Sequence, residues 1–331
     1  MAAATEARIP EVVDLRRVRV RDLNPLLEQA TAEWLRRLEW DFRPSADLIR
    51  RFVAMETLAG YALIDGGVVT GYTYYASEEQ KGLIGDLYVA EDHRTAENEA
   101  RLLKAALEAL LGAPYVERVE SQLMMLRLHG RHPLPFPDLL KAYPRGFMVI
   151  DAARIAGLKP GRAARKVLIE NWSAERQEEA ARVIAQAYDG HIDGNVNDQY
   201  RSARGAYRFI SNVVQYPGCG VFFQPASFVA LDAWTGHTCG VSLASMLSSR
   251  VGHITQICVQ PRLKGKGLGY ELLRRSLVAL AEAGCRKASL TVTVANSDAV
   301  RLYERVGFET AHSFSALVWE RGRRALPHGA K

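Results

Sequence analysis

Apolar residues at Leu102, Leu103, Leu107 and Leu110 keep the spacing of one helical face. Leu272, Leu273, Leu277 and Leu280 repeat it 170 positions further on (272 − 102). The same offset aligns the strand-like stretches before them: Gly82 with Gly252, Ile84 with Ile254, Leu87 with Ile257 and Val89 with Val259. A strand, a loop and a helix that recur ungapped in the same order mark an internal duplication.

Around this block each half predicts one plan. In the first, alternation predicts a strand over 15–20, helices over 23–38 and 46–55, strands over 60–64, 68–75 and 83–89, and a helix over 96–111. In the second, Ser173 is placed to cap a helix running to Tyr188, and another helix covers 203–213. Strands over 227–233, 238–246 and 252–259 then lead into a helix over 268–283. Gly157, Pro160 and Gly161 punctuate the chain between strand-like stretches at 147–150 and 166–169, so the join is expected between 156 and 165. The expected fold class is α+β, with two tandem domains, 11–156 and 165–320. Each is a mixed, mostly antiparallel sheet flanked by helices.

The 331 residues suffice for two cores, and 48% hydrophobic with 24% charged residues exclude wholesale disorder and fibrous repeats. No apolar run is long enough to span a bilayer, and the opening residues lack the basic start and apolar stretch of a secretory signal. A cytoplasmic protein without a membrane partner is expected. The net charge of +6 suits an anionic small-molecule ligand. The densest basic stretch, Arg16-Arg17-Val-Arg19-Val-Arg21, alternates with Leu15, Val18 and Val20 as a half-buried strand would, so no nucleic acid is expected as a partner. Cys219, Cys239, Cys258 and Cys285 show no CxxC spacing and read as buried thiols; His237 with Cys239 is too little for a metal site.

The chemistry lies after the strand His253-Ile-Thr-Gln-Ile-Cys-Val259. Gln260-Pro-Arg-Leu-Lys264-Gly265-Lys266-Gly267-Leu268-Gly269 runs straight into an amphipathic helix. Alternating glycines let backbone N–H groups approach an anion, the helix start adds its positive end, and Lys264 and Lys266 add charge. This is a pyrophosphate cradle, and its spacing is neither the Walker loop nor the dinucleotide fingerprint. In the first half Thr95, Glu97 and Glu99 stand where Gly265, Gly267 and Gly269 stand in the second, and two carboxylates there would repel a phosphate. Downstream, the alternating 289–295 is followed by Asn296, which can cap a helix, and Tyr303 lies two turns along on the same face, with Gly307 as a helix stop.

Strand, Pro-x-x-Lys-Gly-Lys-Gly-Leu-Gly, helix, strand and then Asn-x-x-Ala-x-x-x-Tyr-x-x-x-Gly-Phe together resemble the GNAT superfamily of acyl-CoA N-acyltransferases over about residues 252–308. The rest of the second half fits by element order, and the first half resembles a degenerate copy. The resemblance implies a degenerate GNAT-like domain without a pyrophosphate loop at 11–156 and an acyl-CoA-binding catalytic domain at 165–320. The family usually has Gln or Arg where Lys264 stands, a change that keeps a donor. It further implies acetyl-CoA as co-substrate, with its pyrophosphate on Lys264, Gly265, Lys266, Gly267, Leu268 and Gly269, and Asn296 also on the cofactor side. The pantetheine arm would lie along the backbone of Cys258 and Val259, one of whose amides would polarise the thioester carbonyl.

Tyr303 resembles the family's proton donor to the departing thiolate, and the acceptor, a primary amine of a small molecule, attacks directly. An ordinary alkyl amine has a pKa near 10.4, so reaching its neutral form at pH 7 costs roughly 4–5 kcal/mol. His253 stands where some histone-acetylating members carry a glutamate base; Gln256, Thr255 or a water relay are alternatives. Between Ile254 and Ile257 the apolar alternation slips by one, as at a bulge. The acidic and amide groups of 189–200 suit a cationic or polyhydroxylated acceptor. That segment also mimics a calcium loop, but Tyr200 stands where the bidentate glutamate belongs. No metal is expected, and the chain is read as a monomer or homodimer. A catalytically silent acyl-CoA-binding module and a transferase of longer acyl or aminoacyl groups are the alternative readings.

Overall fold

The computed structural model describes residues 9–127, 133–161 and 167–321. Residues 162–166, which include the expected domain start at 165 and part of the expected join, lie outside the described residues. The first series of elements is β1 (Glu11–Asp14), α1 (Val20–Leu38), α2 (Arg43–Ala54), β2 (Gly60–Asp65), β3 (Val68–Glu78), β4 (Lys81–Val89), α3 (Ala96–Gly112), β5 (Arg118–Ser121), β6 (Leu140–Asp151) and the single turn α4 (Ala152–Ile155). The second is β7 (Val167–Asn171), α5 (Gln177–Ala187), α6 (Asp193–Val196), α7 (Ala203–Gln215), β8 (Val221–Phe222), β9 (Phe228–Asp232), β10 (Thr238–Ser248), β11 (Val251–Val259), α8 (Leu268–Glu282), β12 (Lys287–Thr293), α9 (Ser297–Val306) and β13 (Glu309–Glu320).

The strand expected over 15–20 is absent. Asp14 accepts the Arg16 N–H at 2.9 Å and turns the chain into one 3-10 turn, Leu15–Arg17, and α1 starts at Val20. Ser173 stands at a helix start as expected but makes no side-chain cap; a 3-10 turn precedes α5.

The chain divides into two compact units, each built from separate stretches. The first takes the chain before residue 31, 49–142 and 315 onward; the second takes 31–48 and 143–314. In the first unit β1, β2, β3 and β4 pair antiparallel in that order, β5 pairs parallel to β4, and Leu317–Glu320 of β13 pairs antiparallel to β5. The leucines of α3 cover one face of this sheet with Leu63, Leu87 and the fully buried Trp319.

In the second unit β6, β12, β11, β10, β9 and β7 follow one another, all antiparallel except β11 with β12. Leu272, Leu273, Leu277 and Leu280 of α8 pack on one face, and α5 and α7 pack against Val229, Val241 and Leu243 on the other. Trp34, Trp40 and Phe42 form a ring cluster in this unit, with Trp34 and Phe42 stacked at 5.1 Å.

The duplication reaches individual contacts. A Cβ on Gly82 would lie 2.8 Å from Leu110 Cδ2, and one on Gly252 would lie 2.5 Å from Leu280 Cδ1, the partner one repeat on. The register slips at the same place in both units: Gly85 is left unpaired between Ile84 and Asp86, and Thr255 between Ile254 and Gln256.

Candidate active site

β11 runs beside β12 only from Val251 to Ile254, and pairing with β10 continues from there to Val259. Beyond the bulge at Thr255 the β12 side of β11 therefore presents backbone groups with no strand partner among the described residues. The Gln260 N–H goes to the Cys239 carbonyl of β10 at 2.9 Å, whereas the Ile257 N–H is taken by the side-chain Oε1 of Gln256 at 2.8 Å. Strand alternation then turns the Cys258 amide toward β10 and the Val259 amide toward the open wedge.

Gln256 lies at the apex of this wedge and is 5% exposed. Its Oε1 also accepts from the Tyr188 hydroxyl at 2.8 Å. Tyr188 is stacked on Tyr200 at 4.7 Å and meets His191 edge-on at 5.3 Å. Burial raises the Tyr188 hydroxyl far above the ordinary range, so it remains a donor. Burial likewise pushes the Cys258 thiol up to about 12, with Lys264 acting the other way.

The glycine loop leaves β11 through one 3-10 turn, Pro261–Leu263. Gly265 and Gly267 take positive φ, +72° and +84°, which favours glycine, and a Cβ on Gly265 or Gly269 would meet open space. No side chain caps the start of α8, where Gly267 is the N-cap residue. The first N–H groups of α8 are thus left for an anion. Lys266 is exposed, and Lys264 Nζ bonds the Ala187 carbonyl at the end of α5 at 3.2 Å.

The matching helix start in the first unit is closed. Thr95 caps α3 by accepting from Asn98 N at 3.1 Å. Glu99, 2% exposed and the counterpart of Gly269, accepts the Arg127 N–H on both carboxylate oxygens.

On the other side of the wedge, Asn296 caps α9 by accepting from Ala299 N at 3.4 Å, and Gly307 ends that helix at φ +109°. α9 carries Tyr303, 8% exposed and edge-on to Phe308. Burial, then the charges of Asp193 and Cys258, hold its hydroxyl well above the usual range, partly offset by Arg145. Asp193 comes from α6, inside the segment expected to choose the acceptor. Its Oδ1 accepts from Thr293 Oγ1 at 2.5 Å and its Oδ2 from Asn296 Nδ2 at 3.3 Å, so this carboxylate is tied to β12 and α9 rather than to a cation-loop geometry.

His253 is 5% exposed, its Nδ1 is 2.9 Å from Ser289 Oγ, and its ring lies 5.8 Å from Trp40 and 6.0 Å from Phe147. Burial, helped by Arg145, lowers its pKa to about 3, so the imidazole is neutral at pH 7. Asp193 thus joins Thr293 and Asn296 beside Tyr303, whereas His253 is enclosed by Trp40, Phe147 and Ser289. Tyr188 and Arg145 escaped the sequence reading: one ends a helix 68 residues before its partner Gln256, and the other reaches the site on a strand from the first half of the chain.

Splayed strands, a bulge at their parting and an uncapped glycine-rich helix start define an acyl-transfer domain. Residues 196–308 match the model of the acetyltransferase (GNAT) family. A mycothiol acetyltransferase of Acidimicrobium ferrooxidans is 28% identical over 284 residues, 80% of this chain and 83% of its own. In fold, the chain is similar to a GCN5-related N-acetyltransferase from Sphaerobacter thermophilus, with a TM-score of 0.62 at 16% identity over 93% of this chain and 95% of that one. It is equally similar to a tandem GNAT protein from the clavulanic acid biosynthesis pathway, with a TM-score of 0.62 at 14% identity over 95% and 99% of the two chains. Residues 196–308 thus carry a GNAT-type acetyltransferase domain, and the whole chain shares the fold of tandem GNAT proteins.

Proposed function

We propose that the second unit transfers an acetyl group from acetyl-CoA to a primary amine of a small molecule, by direct attack and at a single site. The observation that carries this reading is the uncapped, glycine-rich start of α8 beside the strand edge that β12 leaves open. Lys264 to Gly269 hold the pyrophosphate on helix and loop N–H groups, with Lys266 as mobile charge. The backbone of Val259, more than that of Cys258, faces the pantetheine arm. The neutral amine forms the C–N bond, the C–S electron pair leaves on sulfur, and the proton shed by nitrogen reaches the thiolate through solvent on release. Tyr303 stabilises the departing thiolate; a hydroxyl held above its ordinary pKa does so by donating a hydrogen bond rather than by complete proton transfer.

Acceptor choice falls to 189–200. Asp193 supplies the anionic group beside the incoming ammonium, and His191 Nδ1 lies 3.5 Å from Asp193 Oδ2. His253, neutral and enclosed, shapes the wedge instead of removing the proton. The name of the mycothiol acetyltransferase relative supports a small-molecule acceptor. Acetyl transfer to a panel of amines, followed by free thiol release, tests the reading. Tyr303→Phe should lower kcat at least tenfold while leaving acetyl-CoA binding unchanged. Undiminished turnover in that variant would remove Tyr303 from the mechanism, and no turnover with any amine would refute the proposed activity.

A further inference from the structure

The Gln256 carboxamide is locked in one orientation. The Ile257 N–H can only donate, so the atom it meets at 2.8 Å is the Gln256 oxygen, and the Tyr188 hydroxyl donates to the same oxygen. The amide therefore leaves its NH2 group in a fixed direction. That nitrogen is buried and meets no hydrogen-bond acceptor among the described residues. A buried donor without an acceptor is rare, because the lost hydration is not repaid. Here it stands at the residue after the bulge, where β11 parts from β12, and its oxygen is bound to an amide that faces the open wedge.

We propose that Gln256 Nε2 donates a hydrogen bond to the carbonyl oxygen of the bound acyl thioester, acting with the Val259 amide as the second donor where negative charge develops. Gln256 is then a catalytic residue, and Tyr188 is a positioning residue that holds its oxygen. The assignment rests on the acetyl-transfer reading above. It adds no covalent step: as nitrogen forms the C–N bond, the carbonyl π pair shifts onto oxygen, where the two N–H groups meet it, and returns as the C–S bond breaks. A preorganised donor at this point is worth far more in a water-excluded wedge than in solution.

The test uses the full chain and two variants. Gln256→Glu keeps an oxygen for Tyr188 and Ile257 and removes the NH2, whereas Gln256→Leu removes both functions. The readouts are kcat with a working amine, affinity for acetyl-CoA against CoA, and the carbonyl stretch of carbonyl-13C-labelled acetyl-CoA bound to each protein. In the parent the stretch should move to lower wavenumber on binding, and acetyl-CoA should bind more tightly than CoA. In Gln256→Glu the wavenumber shift and the preference should both shrink, kcat should fall on the order of a hundredfold, and CoA should bind as before. Tyr188→Phe should show a smaller change in the same direction. An unchanged stretch with unchanged kcat in folded Gln256→Glu would overturn the assignment. So would an equal weakening of CoA and acetyl-CoA, because the amide would then serve the pantetheine arm. Failure of the parent itself to bind acetyl-CoA would instead strike the acetyl-transfer reading, and this assignment with it.

Discussion

Asp86 stands 170 positions before Gln256 and receives the Tyr72 hydroxyl at 2.7 Å, as Gln256 receives that of Tyr188. The first unit puts a carboxyl where the second has a carboxamide, and the tyrosine that meets it comes from β3 rather than from the end of α5. Burial raises the Asp86 pKa to about 6, against the hydrogen bonds from Tyr72 and Leu87, which lower it. An unfolded aspartate titrates near 3.9. Between about pH 4 and 6 the folded chain holds a proton that the unfolded chain has shed, so stability falls as pH rises through that window and the loss persists at pH 7. The difference is on the order of 2–3 kcal/mol. Asp86→Asn, which still accepts from Tyr72, should raise stability at pH 7 by up to that amount and flatten its dependence between pH 4 and 6. Urea unfolding at both ends of the window checks this, and parallel pH curves for parent and variant would contradict it. At this scale the positive-φ glycines and the Asn296 helix cap were legible because they depend on local spacing. The environment of His253 was not, since Trp40, more than two hundred residues earlier in the chain, is one of the rings beside it.

Helix α8 packs so closely on β11 that Gly252 has no room for a methyl group: its Cβ would stand 2.5 Å from the fully buried Leu280. Gly252→Ala should therefore cost about 1–3 kcal/mol of stability, recovered in part by shortening Leu280 to Val in the same chain. Chemical denaturation of the two single variants and the double variant reads the coupling; additive losses would contradict a direct clash. Helices α3 and α8 and strands β4 and β11 were legible because their apolar periods are strong and occur twice. The basic stretch 16–21 misled because its alternation was read without the Asp14 side chain, whose bond to the Arg16 N–H starts a turn. β5 could not be found by alternation at all. Its four residues, Arg118 to Ser121, are all buried, with Arg118 paired to Glu120 at 2.6 Å and also to Glu320.

Over the whole molecule, the duplication has left two versions of one plan, each described by its own contacts. In one, the helix start after the splayed strand is capped by Thr95 and filled by Glu99, whose carboxylate holds the chain at Arg127. In the other it is open, glycine-rich and flanked by lysines. The sequence anticipated this asymmetry through the exchange of Gly267 and Gly269 for Glu97 and Glu99. It did not anticipate that each unit is built from stretches far apart in the chain, because the pairing of β5 with Leu317–Glu320, and of β12 with β6, joins residues distant in sequence. The account makes one cradle per chain, in the second unit. Titration calorimetry of the full chain with acetyl-CoA tests it most directly, beside the Gly267→Val variant, in which a β-branched residue must adopt φ near +84°. The account predicts one equivalent bound per chain in the parent and loss of binding in the folded variant. Two equivalents, no binding by the parent, or undiminished binding by Gly267→Val would contradict it.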